Sequence, residues 1–166
     1  MIFKFLILLI VPFSFVVDNE LLTFRKMYTE AVENKDVAED LVDFIKAKPV
    51  TPLATGYLGA VHMILAKHAL NPVRKLSYFR TGRTYLERSI RQKPGDAELR
   101  LLRYTIQVSA PAFLGYNSEV SSDKAFLLKS LQTGKLRDEQ LRKLIANFIA
   151  QQKNTASETQ ILRKHL

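Results

Sequence analysis

The sequence predicts an all-α domain built of antiparallel helical hairpins, with about seven helices after an N-terminal targeting segment. Three observations carry that expectation. Apolar residues recur at helical spacing almost throughout. Helix-starting residues (Asp, Asn, Thr-Pro, Asn-Pro) stand in front of the apolar stripes. No segment keeps the two-residue alternation of a strand for long.

The elements follow in order. The opening residues 1–17, MIFKFLILLIVPFSFVV, carry one cation, Lys4, then an apolar run, then the acids Asp18 and Glu20. A basic start, a short apolar stretch and an abrupt polar boundary describe a signal peptide. The run is shorter than the roughly 20 apolar residues of a membrane-spanning helix. Export to the periplasm or outer envelope as a secreted soluble protein is therefore expected, with residues 18–166 as a single domain. Any membrane attachment would run only through an uncleaved segment.

Asp18 stands before Leu21, Leu22, Phe24, Tyr28 and Val32, the first apolar stripe. Asp36, with Glu39 three residues on, reads as a capping box for a second helix, whose buried face is Val37, Leu41, Phe44 and Ile45 and which Pro49 ends. Thr51-Pro52 opens a third, a hydroxyl N-cap followed by proline at the first helical position. This helix, to about Ala69, is apolar nearly all round and thin at Ala54, Gly56, Gly59 and Ala60, which marks it as the centre of the domain. Leu58, Val61 and Ile64 from it should be buried, as should Leu86, Ile90 and Leu102 from the helices that follow.

After an Asn71-Pro72 turn, a helix from about Arg74 to Gln92 has Leu76, Phe79, Leu86 and Ile90 as its inner stripe. Pro94-Gly95 stops it and Asp96 caps the next, with Leu99, Leu102 and Ile106 facing inward and Arg100, Arg103 and Gln107 as a polar stripe. Phe113 to Asn117 forms an aromatic-anchored loop. Ser122 opens a short helix to Leu131, Gly134 breaks the chain, and Asp138 caps an amphipathic helix carrying Leu141, Leu144, Ile145, Phe148 and Ile149. Residues 154–166 read as a frayed tail, with a weak helix from Ser157.

Gly82, Leu86, Ser89 and Pro94 have the small–apolar–small–proline spacing of the second helix of a tetratricopeptide repeat, and Leu58-Gly59 matches the leucine–glycine pair of its first helix. Residues 51–94 thus resemble one degenerate copy of that repeat, lengthened by about eleven residues between Gly59 and Gly82 and assigned to an enlarged turn. The resemblance implies a tetratricopeptide-like helical bundle and a protein-binding role. The longer pattern Asn71-Pro72, Lys75 to Phe79, Pro94, Glu98 to Arg100 and Phe113 to Tyr116 is similar to small secreted proteins of Bacteroidota, which implies export and no particular chemistry.

Composition excludes several functions. There is no cysteine, so no disulfide framework, thiolate metal site or cysteine nucleophile can be built. His62 and His68 are six residues apart and lie on different faces of one helix, unsuited to a metal pair. His62, in the most apolar helix, reads as a hydrogen-bonded core residue. Glu30, Glu33, Glu39, Asp40 and Asp43 are accounted for by a solvated helix face. No nucleophile elbow and no phosphate-cradling glycine loop is present, so the chain is expected to be no enzyme and to use no cofactor or metal.

The formal net charge is +9, unevenly placed: −3 over residues 18–50, +7 over 51–117 and +4 over 118–166. Arg80, Arg83, Arg88, Arg100 and Arg103, interleaved with Tyr85 and Tyr104, are the candidate binding residues, since guanidinium groups and rings together grip anionic and planar groups. A solvated helix face accounts for the same residues, helped by Glu87–Arg91 pairing at i,i+4. The expected partner is a protein or peptide of the cell envelope gripped between hairpins. An anionic envelope polymer on the Arg80–Arg103 region is the alternative, and nucleic acid is not expected for an exported chain.

Overall fold

The computed structural model of the protein describes residues 14–166. Residues 1–13 of the expected targeting segment lie outside the described part. Among the described residues there are eight α-helices and no strand: α1 Ser14–Ala31, α2 Lys35–Lys46, α3 Pro52–His68, α4 Pro72–Gln92, α5 Ala97–Ser109, α6 Val120–Gln132, α7 Glu139–Ala150 and α8 Ala156–Leu162, with a short 3₁₀ turn at Ala112–Leu114. The protein is all-α.

Capping chemistry sets most of the boundaries. The Thr51 hydroxyl accepts from the Ala54 N–H, and the Asp96 carboxylate accepts from the Glu98 and Leu99 N–H groups. Asp138 takes the Leu141 N–H. Each satisfies a donor that the first helical turn would leave unpaired. Other starts differ from expectation. α2 is capped by Asn34, whose side chain accepts from Asp36 and Val37, so Asp36 lies within the first turn. The described part of α1 opens at Ser14 and runs through Asp18, so Asp18 lies within the helix rather than ahead of it. α6 starts at Val120, two residues ahead of Ser122, with no side-chain cap.

The α3–α4 hairpin turn is short, only residues 69–71, because the Asn71 side chain caps α4 with Pro72 in its first turn. The extra length over the repeat pattern sits in the helices, 17 and 21 residues long, rather than in an enlarged turn. The two helices meet where both are thinnest. A Cβ on Gly59 would lie 2.6 Å from the Leu86 nitrogen and 2.7 Å from the Gly82 carbonyl oxygen. Backbone contact of that kind needs glycine on both sides, since no side chain can move away to make room.

Two hydrophobic cores result. The first surrounds α3, with Tyr57, Ala60, Val61, Ile64 and Leu65 packed on Phe24, Leu41, Ile45, Phe79, Leu86 and Leu102. Leu58 is only half-buried, and Leu76, expected inside, is 40% exposed because helical spacing turns it away from the side of α4 on which Gly82 meets α3. The second core holds Leu101, Tyr104, Leu127, Leu131, Ile145, Ile149 and Leu162. Leu162 is 2% exposed, and Thr155 and Glu158 form a reciprocal capping box. The C-terminal tail is thereby docked rather than frayed.

α5 belongs to both cores: Leu99, Leu102 and Ile106 face the first, Ala97, Leu101 and Tyr104 the second. Its polar stripe is therefore interior as well. Arg103 is 5% and Gln107 3% exposed, which corrects the expectation of a solvent face. A helix flanked on several sides leaves its polar residues little access to water: Arg103 is bonded to Asp123 and Glu87, whereas the buried Gln107 amide has no hydrogen-bond partner among the described residues.

Candidate functional site

The seven candidate residues do not form one face. Tyr104 is buried in the second core, edge-on to Phe148 at 5.7 Å. Tyr85 turns toward α3 and meets His62 edge-on at 5.9 Å. Arg100 and Arg103 are held inside the fold. Arg80, Arg83 and Arg88 are exposed on α4. Helical spacing puts Arg80, Arg83, Glu87 and Arg91 on one outer stripe and Arg88 on the neighbouring flank.

Arg103 is the centre of a buried ionic cluster joining α4, α5 and α6. Its guanidinium binds Asp123 through two bonds, Nε to Oδ2 at 2.6 Å and Nη2 to Oδ1 at 2.8 Å, and reaches Glu87 at 3.0 Å. Arg100 adds a 2.6 Å bond to Asp123, so a fully buried carboxylate is covered by two cations. The Tyr116 hydroxyl donates to Glu87 at 2.6 Å, and Arg83 lies over the Tyr116 ring at 5.0 Å. Burial pushes the Tyr116 hydroxyl far up, and the adjoining Glu87 carboxylate pushes it further. Burial alone would lower the Arg103 pKa, but its bonds to Asp123 and Glu87 more than offset this and raise it. Arg103 is a fixed cation.

A matching cluster sits across α1, α5 and the start of α7. Arg25 binds Glu98 through Nε and Nη2, each at 2.7 Å, and reaches Asp138 at 2.6 Å, while the Tyr57 hydroxyl donates to Glu98 at 2.6 Å. The same contest holds here: burial opposes the Arg25 charge, and the two carboxylates outweigh it. Burial first, then Glu98, raises the Tyr57 hydroxyl well above its usual value. Glu98 accepts three of these bonds, two on Oε1 and one on Oε2, and is 4% exposed, so this carboxylate is turned into the fold and away from solvent.

What stays open is the outer edge of the Arg103 cluster. A shallow cleft of about 420 Å3 is lined by Arg83, Thr84, Glu87 and Arg91 of α4, by Arg103, and by Tyr116, Ser118 and Glu119 of the loop before α6. Arg83 and Arg91 are exposed and bind no carboxylate among the described residues. Arg91, expected from the sequence to pair with Glu87 at i,i+4, does not do so, because Glu87 is bound by Arg103 and the Tyr116 hydroxyl instead. A second depression, about 480 Å3, lies between α6 and α8, but its Lys124 is already bound to Glu158 at 3.0 Å and to the Lys153 carbonyl at 2.8 Å.

The histidines are occupied by backbone. His62 Nδ1 lies 2.7 Å from the Leu58 carbonyl oxygen and His68 Nε2 2.8 Å from that of Ala31. Among the described residues no group of three or more His, Cys, Asp or Glu is arranged to hold a metal ion. No helix of the described part is long and apolar enough to cross a membrane.

Fold and site together define a class: an all-α protein with two cores riveted by arginine–carboxylate clusters and an open cationic cleft on one helix. Compared with known protein families, curated protein sequences and solved structures, the chain finds no significant match.

Proposed function

We propose that the protein is a non-catalytic interaction module, exported to the periplasm or outer envelope, that grips a protein or peptide partner in the cleft between α4 and the loop before α6. The observation that carries this reading is the pairing of two free guanidinium groups, Arg83 and Arg91, with a rigid floor of Arg103, Glu87 and Tyr116. Free cations beside fixed donors and acceptors suit an acidic side chain on a peptide whose backbone bonds to the floor. The tetratricopeptide-like spacing of residues 51–94 supports a protein-binding role, and the close approach of Gly59 and Gly82 gives that spacing a physical reason. Fold analogy adds support without deciding the partner.

The rival reading, an anionic envelope polymer spread along α4, draws on the exposed Arg80, Arg83, Arg88 and Arg91. Salt separates the two, since contacts to many phosphates or carboxylates weaken steeply with ionic strength. Crosslinking and pull-down from native envelope should compare the natural chain with an Arg83→Ala/Arg91→Ala double variant. A defined protein captured at both low and high salt, and lost in the double variant, supports the module. Recovery of polymer alone, at low salt alone, supports the rival. Arg100 and Arg103 are unsuitable probes because removing them strips Asp123 of its cations.

A further inference from the structure

Residues 70–77, the tip of the α3–α4 hairpin and the first turns of α4, are all exposed. Three of them are large and apolar: Leu70 is 98% exposed, Val73 78% and Leu76 40%. Val73 and Leu76 lie on the same outer stripe of α4 that continues into Arg80 one turn further. Arg74 and Lys75 flank Val73 directly. With about 1.5 Å of rise per residue, Arg80 sits about 10 Å behind Val73 along the axis. Apolar side chains at the extremity are thus followed by a collar of cations.

The surrounding sequence reinforces this order. From Leu70 to Leu86 there are four Lys or Arg residues, Arg74, Lys75, Arg80 and Arg83, and no Asp or Glu. The α1–α2 turn beside the tip carries Glu33, paired with Lys67 at 2.8 Å, and is flanked by the exposed Glu30 and Asp36.

We propose that the α3–α4 hairpin tip docks on an anionic lipid surface, with Leu70, Val73 and Leu76 entering the acyl boundary and Arg74, Lys75 and Arg80 at the level of the phosphates. Interfacial anchoring needs this combination: a few apolar side chains reaching several ångströms past the headgroups, and cations within a Debye length of the lipid charge. A protein partner would favour a flatter apolar patch with fewer cations at its centre. The contact is independent of the peptide cleft, whose Arg91 is about 27 Å from Val73 along α4. It is also distinct from any attachment through the segment before Ser14. α1 begins at the opposite end of the bundle, where Glu20 pairs with Lys48 at 3.1 Å, and Val50, 93% exposed, lies at that end.

The absence of cysteine makes the test direct. The full chain carrying Leu70→Cys or Val50→Cys, each labelled with an environment-sensitive fluorophore, is mixed with vesicles of phosphatidylcholine or of phosphatidylcholine with phosphatidylglycerol at about one lipid in three. The expected result is a blue shift of the Leu70 probe, quenched by shallow spin-labelled lipid, with the anionic vesicles only, while the Val50 probe stays in water. Arg74→Ala, Lys75→Ala and Arg80→Ala should each weaken vesicle affinity about fivefold. Four results overturn the proposal. In the first, the Leu70 probe remains in water. In the second, the Val50 probe enters lipid instead, which marks contact through the N-terminal end. In the third, both vesicle types bind equally. In the fourth, the Leu70 probe is buried without vesicles, which marks a second copy of the chain.

Discussion

Arg25 and Arg103 are both 5% exposed, and each grips a buried carboxylate through two bonds. They nevertheless fasten the molecule differently. Arg103 joins helices that follow one another along the chain, reaching partners 16 and 20 residues away. Arg25 joins α1 to partners 73 and 113 residues away, on α5 and at the N-cap of α7. The redundancy differs too. Among the described residues Asp123 has two arginines, whereas Glu98 has Arg25 as its one cation and otherwise the Tyr57 hydroxyl. The same chemistry therefore serves as a local brace at one site and as the long-range rivet between the cores at the other.

The largest effect should come from removing the rivet. Arg25→Met leaves Glu98 buried without a cation, and the urea midpoint should fall by an amount equivalent to about 3–5 kcal/mol. Replacing both partners, Arg25→Met with Glu98→Met, should recover most of the loss, because an apolar pair in place of a buried ion pair costs little. A double variant no better than the single would show that geometry rather than unpaired charge is at stake.

Leu86→Ala comes next, at about 2–5 kcal/mol, since Leu86 is fully buried against Gly59. Thermal melting followed by a probe in each core should show the first core loosening before the second. Arg103→Met should cost less, about 1–3 kcal/mol, because Arg100 still covers Asp123. A loss equal to that of Arg25→Met would refute the distinction between brace and rivet.

The smallest effects are with pH. Burial holds the His62 imidazole below its usual value, although its bond to Leu58 works the other way. The unfolded chain thus takes up the proton first as pH falls, so the stabilising contribution is complete above about pH 6.5 and declines below it. His62→Gln should flatten that part of the melting-temperature profile. Asp138 behaves differently: burial raises its pKa, but Arg25 and the Leu141 N–H overcome this and hold the carboxylate below the ordinary range. Its contribution is present above about pH 3.8 and is lost as pH falls through the lower folded value. Arg25→Met should remove the part of this acid limb that depends on the guanidinium.

Legibility followed the same division between local and long-range structure. Thr51, Asp96 and Asp138 announce their helices because a cap acts within three residues, and Gly59 and Gly82 announce a close approach because few other roles suit them. Asn34 and Asp36 are equally good caps in isolation, and only the path of the chain decides between them. The polar spacing of Arg100, Arg103 and Gln107 is the same whether a helix faces water or a buried ionic cluster; the difference lies in Asp123 and Glu87, on other helices. The same reason hid the Arg25–Glu98 pair and dispersed the candidate site: Tyr104 and Tyr85 interleave with the arginines in sequence, but they turn toward the second core and toward His62.

The sharing of α5 sets an order on synthesis. As the chain leaves the ribosome, α1 to α4 appear first, yet the surface on which Leu99 and Leu102 will sit stays uncovered until α5 follows. Arg25 waits longer still, for Glu98 and then for Asp138. The nascent α1–α4 segment therefore stays an incomplete core until α5 emerges, and Arg25 has both of its carboxylates only after Asp138. Native pairing of α1 is completed only when α7 has begun to emerge.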